Sequence, residues 1–296
     1  MGKIKSFFWG WKKCNFEQYK EAHALFGGCV LTHPNIVSFL NRHIEGNQLS
    51  FYFKEKGTAV KGACFFVKNQ KLVEKIQGTY PLPYDEVIFP IATDAKLFLP
   101  IKSKRLSPIH KNNFINASYK VPLSKRQICL IKENFSYKTR RNRKNEINKF
   151  TRAGGEIRLS SEFSAEELVD IYIDLYQKRW DYNHSPKERQ RLLEIYTELR
   201  EHIFGYVLLI NGSPCAYDFV LRADSPKWIS FDAINGGYNP EYAHLSVGSI
   251  LMWVNTQEAK VLCQAANKTM RYSLGNPTLE YKSRWCETFP LGKVLI

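Results

Sequence analysis

The stretch that most constrains this chain runs from Trp228 to Trp285. It opens on a strand-like run, Trp228-Ile229-Ser230-Phe231-Asp232-Ala233-Ile234. A turn-rich segment from Asn235 to His244 follows, and Leu245-Ser246-Val247-Gly248-Ser249 then reads as the start of an apolar helix to about Ala259. A strand feeding a glycine-marked helix N-terminus holds phosphate readily, because the first backbone N–H groups lack acceptors and the helix dipole favours an anion there. Ser246 reads as the cap, and Val247, Gly248 and Ser249 as the positions that face the anion. Gly248 admits either an anion or a neighbouring strand at close range.

The charge balance points the same way. Lys and Arg number 43 against 28 Asp and Glu, a net +15 over 296 residues. Such an excess favours phosphate groups, nucleic acid or an anionic membrane face, and says nothing about fold. Eight of these cations, Lys132, Lys138, Arg140, Arg141, Arg143, Lys144, Lys149 and Arg152, face only Glu133 and Glu146 over residues 132–152. That segment lacks helix breakers until Gly154-Gly155. It predicts a solvated helix joining two halves, either a phosphate- or tRNA-binding element or a plain charged connector.

Around that helix the chain divides into 1–131, 132–154 and 155–296. In the first part Asn15 caps a helix through Phe16, Tyr19, His23 and Phe26, and Thr32-His33-Pro34 starts a second. Strands are expected at Leu49–Phe53, Ala59–Val67, Lys71–Ile76, Val87–Ile91, Phe114–Tyr119 and Arg126–Ile131. In the second part Ser164 with Glu167, and Ser185-Pro186 with Glu188, mark two helix starts. Strands follow at Tyr206–Ile210, Cys215–Leu221 and Trp228–Ile234, the first two joined by an Asn211-Gly212 hairpin turn. Both halves place helices before a meander, which suggests a duplicated α+β domain.

Other classes are poorly supported. The seven cysteines show no close pairing and read as reduced core thiols. Cys14, His23, Cys29 and His33 match no usual zinc spacing, so no metal is expected. There is no Gly-x-Ser-x-Gly motif for a serine hydrolase. Neither a secretory signal nor an apolar run of the ~20 residues needed to span a bilayer is visible. Lys3, Lys5, Lys12 and Lys13 among Phe7, Phe8, Trp9 and Trp11 suit either an anionic membrane surface or simple packing.

The order strand, helix, helix, meander, glycine-marked helix, strand resembles the GNAT acyltransferase superfamily. Leu245-Ser246-Val247-Gly248-Ser249-Ile250-Leu251 with Glu280-Tyr281-Lys282-Ser283-Arg284-Trp285 resembles its Fem-type branch, built from two such lobes in tandem. Glu21-Ala22-His23-Ala24-Leu25-Phe26-Gly27-Gly28 with Thr32-His33-Pro34 is similar to the Mig-fourteen family of bacterial antimicrobial-peptide resistance proteins. The resemblance implies two GNAT-like lobes, each a mixed, mostly antiparallel sheet flanked by helices. It also implies a cytoplasmic protein, peripheral on the inner membrane. GNAT loops usually carry Arg or Gln three residues before the first glycine and Gly or Ala two residues after it. Leu245 and Ile250 stand there, and only Gly248 matches, which leaves acyl-CoA and aminoacyl-tRNA both open as donor.

Acyl transfer needs a deprotonated amine and a site for the developing oxyanion. An amine with a pKa of ~10 needs a base or a desolvated pocket to attack. Asp232 and Glu241, beside the strand entering the site, and Glu280 and Tyr281 are the expected proton-transfer groups. Each has a bland alternative as a turn, surface-ion or core residue. Lys282 and Arg284 could hold a substrate phosphate or carboxylate, and Trp180 and Trp285 could wall a pocket.

Overall fold

In the computed structural model the described residues are 10–43, 49–57, 59–66, 80–120 and 126–295. The strand expected at Lys71–Ile76 and the aromatic and basic positions before Gly10 lie outside them.

From the N-terminus the elements are strand β1 (Lys12–Cys14), helix α1 (Phe16–Phe26), helix α2 (Pro34–His43), and strands β2 (Ser50–Lys56), β3 (Ala59–Phe66), β4 (Ala117–Ser118) and β5 (Gln127–Ile131). The basic helix α3 (Tyr137–Arg152) precedes β6 (Gly155–Leu159), helices α4 (Ala165–Trp180) and α5 (Pro186–Glu198), and strands β7 (Ile203–Phe204), β8 (Tyr206–Ile210), β9 (Ser213–Asp224) and β10 (Trp228–Tyr238). The glycine-marked helix is α6 (Val247–Ala265), followed by β11 (Thr269–Ser273), α7 (Lys282–Trp285), β12 (Cys286–Pro290) and β13 (Lys293–Val294).

Local chemistry sets most of these boundaries. Ser164 with Glu167 and Ser185 with Glu188 form complete capping boxes at α4 and α5, each serine accepting the amide three residues on. Asn15 does the same for α1 with Gln18. Asn211 and Gly212 both take positive φ, at 49° and 78°. That is the backbone a two-residue hairpin needs between right-twisted strands.

Three expectations change. Val87–Ile91 is buried but forms no continuous strand. The Ile88 and Phe89 amides donate to Cys29 Sγ and His110 Nε2, and Pro90 has no N–H, so only isolated bridges at Val87 and Ile91 survive. Of Phe114–Tyr119, Ala117–Ser118 pairs with β13, and Phe114 makes only an isolated bridge to Leu97. The turn expected from Asn235 starts later, because β10 continues to Tyr238 and a 3-10 segment, Pro240–Leu245, leads into α6.

The chain separates into two compact units: 1–130 with 223–230 and 274–296, and 131–222 with 231–273. The first holds the antiparallel β1-β2-β3 sheet and the β13-β4 pair. Its buried floor includes Tyr19, Ile36, Phe39 and Phe89. There Ser225 Oγ accepts the Gly28 amide at 2.9 Å and donates to the Gly28 carbonyl, also at 2.9 Å. A Cβ on Gly27 would lie 2.6 Å from that of Ser225, so a glycine is needed at this approach.

The second unit is built on strands in the order β11-β10-β9-β8-β6. Phe150 of α3 and Val247, Ile250 and Leu251 of α6 bury against Leu208, Ile210, Cys215 and Ala216. Tyr172 of α4 and Tyr196 of α5 close on Phe219 of β9, with ring centroids 5.9 and 4.9 Å away. The basic helix belongs to this unit, anchored by Phe150.

Candidate functional site

The site is easiest to follow from the tip of α6. Ser246 does not cap the helix. It sits at φ 60°, ψ 31° with no side-chain hydrogen bond to the first turn. A left-handed serine costs on the order of 1–2 kcal/mol. Its carbonyl accepts the amides of both Ser249 and Ile250, at 2.9 and 3.0 Å. Among the described residues, the Val247 and Gly248 amides find no acceptor. A Cβ on Gly248 would meet the Tyr238 ring at 3.5 and 3.7 Å, which is ordinary contact. Packing therefore does not require this glycine. Lys149 of α3 donates to the His244 carbonyl at 3.1 Å, which ties the basic helix to the segment preceding the tip.

Tyr238 links the tip to a second group of residues. The Arg179 guanidinium carbon lies 4.6 Å from the centroids of both the Tyr238 and Trp180 rings. Trp180 Nε1 donates to the Gly236 carbonyl at 3.0 Å, fixing one wall of that sandwich. Among the described residues Arg179 makes no hydrogen bond. Beside it, Asp218 of β9 occupies the space that a side chain at Gly236 would take. A Cβ there would lie 1.8 Å from Asp218 Oδ1. A Cβ on Gly237 would strike the Leu175 carbonyl at 2.3 Å, so the glycine pair lets β10 lie against both the acid and the α4 backbone.

Asp218 makes no hydrogen bond and no ion pair within 4 Å among the described residues. Burial pushes its carboxyl up to about 6, with the Arg179 charge pulling the other way. The neighbouring Tyr172 and Tyr217 hydroxyls are both pushed up, chiefly by burial.

The expected site residues fall in both units. Ser246, Val247, Gly248, Ser249, Trp180, Asp232 and Glu241 are in the second. Trp180 is 40% exposed and borders the Arg179 sandwich. Asp232 lies half-buried on β10. Glu241 is exposed and engaged in a local turn: its amide donates to Asn239 Oδ1 and its carboxylate accepts from Asn239 Nδ2, at 3.1 and 3.0 Å. Glu280, Tyr281, Lys282, Arg284 and Trp285 belong to the first unit. Lys282 Nζ donates to the carbonyls of Leu274 and Asn276 at 2.6 and 2.7 Å, and burial lowers its pKa. Trp285 is buried, whereas Glu280 and Arg284 are exposed.

Hollows lined by described residues include one in each unit. One, of about 500 Å3, is in the first unit beside Phe89, Ile91 and Trp228. The other, of about 310 Å3, is in the second unit between Ile147, Tyr206 and Trp253. Neither includes Ser246, Val247, Gly248 or Ser249. No cluster of three metal-ligating side chains is found among the described residues. No helix among them is long and apolar enough to cross a membrane.

Asp218 and Arg179 are the functional candidates that sequence reasoning missed. The signal was present: a lone acid inside the apolar run Cys215-Ala216-Tyr217-Asp218-Phe219-Val220-Leu221. An unpaired carboxylate in such a strand is costly and calls for a reason.

Comparison with known proteins fits this architecture. The chain aligns with a structure described as "Crystal structure of FemX", with a TM-score of 0.57 and 9% identity, covering 96% of this chain and 97% of that one. A tandem GNAT protein from the clavulanic acid biosynthesis pathway gives a TM-score of 0.48 and 8% identity, over 95% and 96%. No curated protein matches. The fold is thus shared with the FemX structure: α+β, with mostly antiparallel sheet and flanking helices. Residues 33–294 match the Mig-14 family, and the chain belongs to it.

Proposed function

We propose that this protein transfers an acyl or aminoacyl group to an amine, with a donor phosphate held at the tip of α6. The observation that carries this is the pair of unpaired amides on Val247 and Gly248, at a glycine that packing does not require. The GNAT-like fold and Mig-14 membership support the reaction class, although fold alone does not fix chemistry. The donor is acyl-CoA or aminoacyl-tRNA. Asp232, Glu241, Glu280 and Tyr281 remain proton-transfer candidates, and Trp180, Lys282, Arg284 and Trp285 candidates for substrate contact. The product would contribute to survival of cationic antimicrobial peptides, and the protein would act in the cytoplasm against the inner membrane, through the basic-aromatic N-terminus. Calorimetry of the full chain with acetyl-CoA and with aminoacyl-tRNA tests the donor. Heat from one arm and none in a Val247→Pro variant, which removes one of the two amides, is expected. Silence from both arms refutes the reading.

A second reading is favoured by the outer face of α3, where Lys138, Arg140, Arg141, Lys144 and Arg152 are all exposed. On that reading the protein is a non-catalytic adaptor that docks on tRNA or anionic lipid. Its mark would be binding that weakens steeply with salt and requires those cations, with resistance surviving a Lys282→Ala/Glu280→Ala variant.

A further inference from the structure

Of the acids beside β10, Glu241 is exposed and tied to Asn239, whereas Asp218 of β9 lies against Gly236 with no partner among the described residues. Resting on the acyl-transfer reading, we propose that Asp218 is the general base of the second unit and takes the proton of a primary-amine acceptor, with Arg179 as its positioning residue.

Three independent features carry this. First, Asp218 is a half-buried acid that the fold does not use. Among the described residues it makes no hydrogen bond and no ion pair. Buried His110 shows the contrast: it accepts from the Phe89 amide at 3.0 Å and faces Asn113 Oδ1 at 3.2 Å. Second, β10 keeps space for it, since any side chain at Gly236 would overlap Oδ1. Third, it is connected to the donor tip. Gly248 adjoins the Tyr238 ring, the ring lies on Arg179, and Arg179 is the one cation acting on Asp218. The remaining titratable neighbours are the Tyr172 hydroxyl from α4 and the Tyr217 hydroxyl from β9, both pushed up and neutral. No second carboxylate is among the groups that perturb it.

The amine nitrogen forms a bond to the donor carbonyl carbon, and the carbonyl π pair moves to oxygen. The nitrogen becomes acidic as that bond forms, and its proton passes to Asp218. Collapse re-forms the carbonyl and expels the thiolate of a thioester or the alkoxide of an ester. That group takes the proton from Asp218, leaving an amide and a thiol or alcohol. A carboxylate poised near neutrality is suited to this exchange, because it accepts and returns the proton at similar cost. Arg179 keeps the base ionised and holds Tyr238 and Trp180 in line.

The test reads the carboxyl directly and then the reaction. In the full chain carrying [13C]aspartate, the resonance lost in Asp218→Asn identifies the base. Its titration should fall near 6, move downward when lysine amide is added, and move upward in Arg179→Met. In turnover with lysine amide, acetyl-CoA forms one arm and aminoacyl-tRNA the other. Asp218→Asn should lose roughly 100- to 10,000-fold in rate. The ratio of wild-type to variant rates should bend near 6, which cancels the acceptor's own titration, while donor binding stays within about twofold. An Asp218 signal that ignores lysine amide, or a variant within about threefold of wild type, overturns the assignment. Amine binding at Asp218 without binding of either donor would instead refute the transfer reading and leave the amine site standing.

Discussion

Gly248→Ala separates the two explanations for a glycine at the tip of α6. If the glycine exists for packing, a methyl group there must clash. The only described atoms near the added Cβ belong to the Tyr238 ring, at 3.5 and 3.7 Å, and the residue has no positive φ. Steric cost is therefore close to zero. Replacing glycine by alanine within a helix gains up to about 1 kcal/mol, less in the first turn. The expected result is a stability equal to wild type or higher by roughly 0.5 kcal/mol, read as the urea midpoint with an unchanged slope. Binding should move the other way. A methyl between the Val247 and Gly248 amides and a phosphate lengthens those contacts, so donor affinity should fall at least tenfold, about 1.4 kcal/mol. A variant that loses more than about 1 kcal/mol of stability would show that the glycine serves the core. A variant that is stable and binds donor normally would show that the phosphate sits elsewhere.

Gly236→Ala should destabilise by about 1–3 kcal/mol, since its Cβ would lie 1.8 Å from Asp218 Oδ1. Adding Asp218→Ala should recover most of the loss, and strictly additive effects in that double-mutant cycle would contradict the contact. Asp218→Asn should be more stable than wild type at pH 7 by on the order of 2 kcal/mol. The folded carboxyl is raised from 3.8 to about 6, so wild-type stability falls as pH rises through that window, whereas the neutral amide avoids the cost. A less stable Asp218→Asn protein would mean the carboxylate is supported by a partner. His23 works in the opposite direction. Burial lowers its pKa from 6.5 to about 4, so the unfolded chain takes up the proton first and stability drops as pH falls. The loss should be about 2 kcal/mol between pH 7 and 5, seen as a shrinking difference between wild type and His23→Phe in urea.

The fold was legible wherever local chemistry decides structure. Ser164 with Glu167, Ser185 with Glu188 and Asn15 all announce helices by satisfying orphan amides, and Asn211-Gly212 announces a hairpin by tolerating positive φ. It was less legible where distant partners decide. The Val87–Ile91 run looks like a strand because it is apolar, yet its amides are taken by Cys29 and His110, which no local pattern foretells. The site divides in the same way. The glycine-marked helix was readable, but Ser246 was expected to cap it, and a serine in the left-handed region cannot turn its hydroxyl onto the first-turn amides. Asp232 and Glu241 draw attention through their position in sequence beside β10. Asp218 stands out only once its surroundings are known, because an acid flanked by Tyr217 and Phe219 could equally have met a buried cation.

Several local costs fall in one part of the second unit. A left-handed serine, two unmatched amides and an unpaired acid are each unfavourable. All of them lie along the connected path from Ser246 and Gly248 through Tyr238 and Arg179 to Asp218. Packing does not explain the grouping, since Gly248 has room for a methyl group and Asp218 would be better replaced by its amide. Lys282 makes the contrast clear: also partly buried, it donates to two backbone carbonyls and is accounted for by the fold. Unfavourable groups that the fold leaves unmatched along one path are what a binding site looks like before its ligand supplies the missing partners. The amides and the acid then define the ligand between them: an anion for the amides, and a proton donor for the acid that Arg179 keeps ionised.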